Sequence, residues 1–412
     1  MALVKPFQCV RPNEQVVDRV AALPYDVYNR AEAKEAAKKE PLSFLNIDRP
    51  ETQFDDDMDM YAPCVYQKAS EILHSWMDNG TFVKDEKECY YIYELIMNGR
   101  SQTGIVACAS IDDYVNNVIK KHENTRADKE ADRINHVDTC SAQTGPIFLA
   151  YRSNDVINQI VNAVQKEKAL YSFTSEDGVT HNVWKIEDNK QIMDIKNAFA
   201  SIGSIYIADG HHRAASAVKV GLKRREQHPG YTGKEEFNYF LSVLFPHDQL
   251  MIMDYNRTVK DLNGYSKEQF LDKIKEHFNI EEIGTKAVSP EKKADFTMYL
   301  DKTWYLLTAD DELKSITDPV KSLDVSLLQD YLLGPVLGIE DPRTDERIDF
   351  VGGIRGLSEL EKRADSDMKV SFAMYPTSIT ELFQVADAKK LMPPKSTWFE
   401  PKLRSGIFIH EI

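Results

Sequence analysis

Residues 199–226 constrain this chain more than any other stretch. Residues 204–208 form a short apolar run suited to a buried strand. Asp209-Gly210-His211-His212-Arg213 breaks that run, and residues 214–224 then carry helical spacing. Strand, polar turn and helix in this order bring side chains and free backbone N–H groups together at a sheet edge. Gly210 permits a positive φ or a close backbone approach to a ligand. Arg213 falls in the first helical turn, where the macrodipole disfavours a cation. A cation there makes sense if an anion at the helix end receives both guanidinium and backbone donors. Asp209 could hold Mg²⁺ or orient a histidine. His211 and His212 could donate to a phosphate, ligate a metal or transfer a proton. Adjacent histidines are no metal motif by themselves, so a polar surface turn is the plainer alternative.

Strands and helices are mixed along the rest of the chain. Residues 30–39 read as a helix stopped by Pro41. The acidic cluster at 55–59 is expected to open the next helix, since negative charge suits a helix N-terminus, and 61–78 has helical spacing. Residues 89–97 and 103–110 read as strands joined at an Asn98-Gly99 hairpin turn. Further strands are expected at 147–151, 179–186, 238–245 and 370–375, with a hairpin within 296–307. A helix is expected over 267–278 with Ser266 as its N-cap, and Thr377-Ser378 caps another running to about residue 388. No repeat or low-complexity linker occurs. The expected class is α+β, with mixed sheets and flanking helices. The expected regions are 1–115, 116–260 and 261–412, the last packing on the central one.

Charge narrows the partners. Lys and Arg number 51 and Asp and Glu 66, a net charge of −15. Such a chain repels nucleic acid unless a local basic patch intervenes, and the densest run is only Lys223-Arg224-Arg225. An anion must therefore be held locally, by backbone N–H groups and a few placed cations. The five cysteines (9, 64, 89, 108 and 140) are scattered without a Cys-x-x-Cys, which suits buried small hydrophobes in a reducing compartment. No apolar stretch reaches about 18 residues, and residues 1–10 lack a long apolar core. The expectation is a cytoplasmic protein that engages no membrane.

Two further clusters bear on chemistry. Lys121-His122-Glu123-Asn124-Thr125-Arg126 leads into Lys129, Glu130, Asp132 and Arg133. On a helix, Lys120 and Glu123 would share a face, and the block could be a solvated, salt-laced surface. The functional reading makes Glu123 a general base oriented by His122. Pro394-Lys395-Ser396-Thr397, with Lys402 and Arg404 nearby, suits phosphate binding through one charge and two hydroxyls. It lacks the Gly frame of a Walker A loop, and a surface loop is the alternative.

Together these blocks resemble the bacterial and archaeal domain of unknown function 1015 family nearly end to end. The marks are Leu23-Pro24-Tyr25-Asp26-Val27, Lys121-His122-Glu123-Asn124-Thr125, Ile207-Ala208-Asp209-Gly210-His211-His212-Arg213, Ser322-Leu323-Asp324-Val325-Ser326 and residues 392–402. A more distant similarity is to archaeal ADP-dependent free-serine kinases of the ParB/sulfiredoxin-like superfamily. These carry a similar Asp-Gly-His-His-Arg turn, a His-Glu pair followed by Lys-Glu, and a late Pro-Lys-Thr-Thr segment. That resemblance implies a ParB/sulfiredoxin-like core and a kinase for the hydroxyl of free L-serine, using ATP or ADP with Mg²⁺. It makes Glu123 the base, aided by His122. Asp209, Gly210, His211, His212, Arg213, Lys395, Ser396 and Thr397 would hold the nucleotide phosphates, with Asp209 at the metal. This chain is longer, which leaves donor and acceptor open. The alternatives are a non-catalytic nucleotide-binding regulator and a sulfiredoxin-like redox enzyme. The latter would need a cysteine near the Gly-His-His-Arg turn, and none follows Cys140.

Overall fold

A computed structural model describes residues 1–412. The fold is mixed α+β with several sheets. The chain forms two compact units, one from residues 1–250 with 401–412 and the other from 251–400. No helix is long and apolar enough to cross a membrane.

A nine-stranded sheet organises the first unit. Its order is Ile119–Lys120, Ile205–Asp209, Ile147–Tyr151, Tyr239–Pro246, Arg100–Ser110, Tyr90–Met97, Thr180–Ile186 and Tyr171–Thr174, and Val4–Lys5 also pairs with Arg100–Ser110. Ile119–Lys120 runs parallel to Ile205–Asp209, and Tyr239–Pro246 parallel to Ile147–Tyr151; the other pairs are antiparallel. Every residue of Ile147–Tyr151 and Tyr239–Pro246 is buried, as strands covered on both faces require. Asn98 and Gly99 both have positive φ (51° and 78°), the geometry that lets a two-residue turn follow the twist of its strands.

The helix His211–Gln227 docks through small residues. Ala214, Ala217 and Val218 join Ile205, Ile207, Leu149 and Phe199 in one core. These positions are three and four residues apart, so they share one face. A Cβ at Gly221 would stand 2.4 Å from the Phe237 carbonyl oxygen, so the helix approaches that backbone closely. Truncating a residue such as Ile207 would cost about 2–5 kcal/mol. This packing fixes the N-terminal end of the helix relative to the strand that feeds it.

The second unit carries a six-stranded antiparallel sheet. Its order is Phe278–Gly284, Thr303–Ala309, Asp295–Leu300, Val370–Met374, Tyr255–Val259 and Ile348–Gly352. Leu360 of the helix Leu357–Ser366 packs with Tyr299, Trp304, Val351 and Ala373. Ser266 and Ser378 each form a capping box with the residue three positions on, which sets both helix starts.

Several expectations are corrected. The acidic cluster at 55–59 does not open a helix; the next helix is Pro63–Asp78. Arg30 and Lys34 hold the preceding backbone and Asp56, and Pro63 supplies a preorganised first helical residue. Lys120 and Glu123 do not share a helical face. Ile119–Lys120 is a strand, and the helix starts at Ala127. The helix from Lys267 ends at Ile274, and Phe278 opens a strand paired with Thr303–Ala309. There the pairing partner overrides the local helical pattern.

Candidate functional site

The strand Ile205–Asp209 ends in a register shift opposite Phe148, and Gly210 then turns the chain with φ at 90°. The helix starts at His211 with no side-chain cap, so its first N–H groups point toward the turn. Arg213 folds back along this turn and donates to the Pro146 carbonyl. Lys402 donates to Asp209 Oδ2 at 2.9 Å, and Asp209 Oδ1 accepts the Gly210 N–H at 2.8 Å. Burial opposes charge on Asp209. The Lys402 ammonium and the Arg213 guanidinium outweigh it and hold the carboxyl well below the usual range. The turn thus combines two cations, one fixed carboxylate and a helix N-terminus.

The loop 121–126 lies against the same helix end. The Arg126 N–H donates to His212 Nε2 at 3.0 Å, Thr125 donates to Glu130 Oε2 at 2.6 Å, and Lys219 donates to Glu130 Oε1. These bonds tie the loop to both flanking helices. Glu123 Oε2 stands 3.9 Å from His211 Nδ1, with the Glu123 side chain about half exposed (49%). The His122 and His211 rings meet edge to face, 4.5 Å between centroids. Both are buried. Neither ring nitrogen of His122, nor Nε2 of His211, makes a hydrogen bond of good geometry. Burial pushes His122 down to about 4, although the Ile207 backbone and Asp209 favour its protonated form. Burial, with His122 beside it, drives His211 well below its ordinary value. Two neutral imidazoles and a carboxylate therefore face one another. Their ligand atoms lie within 4.8 Å of one another, close enough to converge on one ion.

A neighbouring pocket is lined by Tyr25, Asp48, Arg133, His136, Thr144 and Arg213, among others. Arg133 is buried, lies 4.1 Å from the Tyr25 ring centre and pairs with Asp132 at 2.9 Å. Thr144 donates to Asp48 Oδ1 at 2.8 Å, and Asp48 Oδ2 has no hydrogen-bond partner. Sequence reading marked the turn at Tyr25 and the charged helix at Arg133 but gave neither a role. The spacing of charges on 127–140 pointed outward; burial of Glu130, Asp132, Arg133 and His136 reverses that.

Within the first unit, then, His122, Glu123, Asp209, Gly210, His211, His212 and Arg213 are brought together. Lys395, Ser396 and Thr397 belong to the second unit. There Lys395 has a left-handed backbone (φ 58°), and its carbonyl accepts from Arg257 at 3.0 Å. Ser396 is buried; its hydroxyl donates to the Pro393 carbonyl at 2.6 Å and its carbonyl accepts from Thr377 at 2.9 Å. The exposed Lys395 ammonium lies 5.5 Å from the Tyr255 ring centre. No disulfide forms. Cys9, Cys89, Cys108 and Cys140 are buried, and burial raises all four thiols, which suits packing rather than nucleophilic work.

Solved structures with similar backbones include SbnI with a C-terminal truncation, from Staphylococcus aureus. It has a TM-score of 0.38 and 11% identity, over 72% of this chain and 82% of that one. A free serine kinase variant in complex with AMP gives 0.34 and 14%, over 74% and 92%. A second variant in complex with ADP gives 0.34 and 14%, over 76% and 95%. No curated protein matches at a significant level. The sequence pattern of the family described as Protein of unknown function (DUF1015) matches residues 4–326, and the chain belongs to that family.

Proposed function

We propose that this protein is a nucleotide-dependent small-molecule kinase, with the hydroxyl of free L-serine as the first acceptor to test. One observation carries the reading. A carboxylate able to act as base, Glu123, stands beside an uncapped helix N-terminus that also carries Arg213 and the Asp209–Lys402 pair. Phosphoryl transfer needs little covalent chemistry from a protein. It needs an oriented acceptor, neutralised phosphate charge and a nearby base.

The residues divide that work. The N–H groups at His211, His212 and Arg213 and the Arg213 guanidinium would receive phosphate oxygens. Glu123 would accept the acceptor's hydroxyl proton as the oxygen attacks, and His211 at 3.9 Å would orient the carboxylate. Asp209, kept ionised by Lys402 and Arg213, is the proposed oxygen donor to Mg²⁺, which would offset charge on the phosphates. The Lys395–Thr397 loop is proposed separately as a phosphate contact of the second unit, through its exposed ammonium.

The test is direct. Full-length protein with Mg²⁺, L-serine and either ATP or ADP should yield phosphoserine by mass spectrometry. If no phosphorylated amino acid forms with either nucleotide, the kinase reading fails. Nucleotide binding without turnover would favour the regulatory alternative.

A further inference from the structure

The His122–Glu123–His211 cluster has a chemistry that the Mg²⁺ contact at Asp209 does not explain. Mg²⁺ favours oxygen ligands in near-ideal octahedral geometry and keeps several waters. Two imidazoles and one carboxylate instead suit a borderline-soft divalent ion of the first transition row. We propose that His122, Glu123 and His211 form a binding site for one such ion, with Zn²⁺ as the probe, leaving a coordination position open to a water or hydroxyl oxygen.

Three observations carry this. The ligand atoms of the three residues all lie within 4.8 Å of one another. Both imidazoles are buried, His122 at 2% exposure and His211 at 6%, yet neither ring nitrogen of His122 nor Nε2 of His211 makes a hydrogen bond of good geometry; the Ile207 backbone is the one group that approaches His122 as a partner. A buried polar nitrogen without a good hydrogen bond costs about 1–3 kcal/mol, and an ion that takes one nitrogen from each ring would relieve that cost at both imidazoles. Finally, the ligands sit on anchored backbone. His211 opens a helix packed into the core, and the loop of His122 and Glu123 is tied down through Thr125 and Arg126. The half-exposed Glu123 gives an ion a path from solvent.

The site shares Glu123 and His211 with the proposed kinase chemistry, and while an ion is bound Glu123 is a ligand rather than a free base, so the test reads metal retention and not turnover. Untagged full-length protein, stripped with chelator and dialysed against Zn²⁺, should retain one ion per chain by elemental analysis. A competing chromophoric chelator should report its affinity. Glu123→Gln and His211→Ala should each weaken Zn²⁺ by more than about 100-fold. Co²⁺ should give visible absorption bands that both variants lose. Should His211→Ala fail to fold by circular dichroism, Glu123→Gln, altered at the exposed member of the set, still decides. Retention of no stoichiometric Zn²⁺ by the wild type overturns the proposal. So does wild-type affinity in folded Glu123→Gln, which would place the ion elsewhere. Phosphoserine formation enters neither outcome, so loss of this site and loss of the kinase reading remain separate results.

Discussion

The two polar turns that stand out in the sequence are built in opposite ways. In the second unit, the backbone of the loop at 393–397 is satisfied from within the unit: Ser396 donates to the Pro393 carbonyl, Thr377 to the Ser396 carbonyl, and Arg257 to the Lys395 carbonyl. In the first unit, the turn at 209–213 leaves its helix end uncapped, and its buried His211 meets the buried His122 with neither ring fully satisfied by well-formed hydrogen bonds. A loop whose carbonyls are already held by its neighbours has one charge left to offer, the exposed Lys395 ammonium. A turn with an uncapped helix end has donors left to offer, and on the proposed reading these serve the phosphates.

The sharpest way to break this contrast is Glu123→Gln. Turnover should fall by about 10²–10⁴ while nucleotide affinity, measured by calorimetry, holds. Equal loss of both would make Glu123 a binding residue rather than a base.

The second largest effect concerns two aspartates. Asp209 has cations beside it and stays ionised. In the second unit burial, with Glu381 and Asp295 beside it, pushes Asp324 up to about 7, which the Ala294 N–H and Lys293 do not offset. The folded state therefore binds the Asp324 proton more tightly than the unfolded state, whose value is near 3.8. Stability from this group is complete at low pH and lost as pH rises from about 4 through 7, on the order of 4 kcal/mol in all. Asp324→Asn should flatten that slope in denaturant titrations run across the window. An unchanged slope would show that Asp324 is ionised in the fold.

Backbone strain gives a smaller test. Gly210→Ala places a side chain at φ 90° and 3.1 Å from Arg213, and should cost about 1–3 kcal/mol. Lys395→Gly, at φ 58°, should be neutral or stabilising. Ser396→Ala should cost about 1 kcal/mol of stability, with turnover kept if that hydroxyl serves only Pro393.

Much of this was legible from residue patterns, for local reasons. The Asn98-Gly99 turn, the strand Ile147–Tyr151 and the capping serines at 266 and 378 each announce themselves within a few residues. The break at Asp209 was equally plain, because polar residues follow an apolar strand. What stayed hidden depends on distant partners. Tyr239–Pro246 pairs with Arg100–Ser110 across more than a hundred residues, and no periodicity reports that. Arg133 reads as solvated charge until tertiary packing buries it. That His122 would meet His211 follows from the parallel pairing of Ile119–Lys120 with Ile205–Asp209, which sequence spacing cannot encode.

The final twelve residues return to the first unit, and with them comes Lys402, the partner of Asp209. Asp209 leaves the ribosome 193 residues before that lysine. At roughly 5–20 residues per second, the carboxylate has only Arg213 beside it for about 10–40 s before Lys402 is made. Over that interval the nascent first unit also lacks the Ile409 bridge to Val10 and the pairing of His410–Glu411 with Ala142–Gln143. The candidate site is thus completed only after the second unit has been made, and a chain released before Lys402 carries the turn and Arg213 but lacks one of the two cations that hold Asp209 ionised.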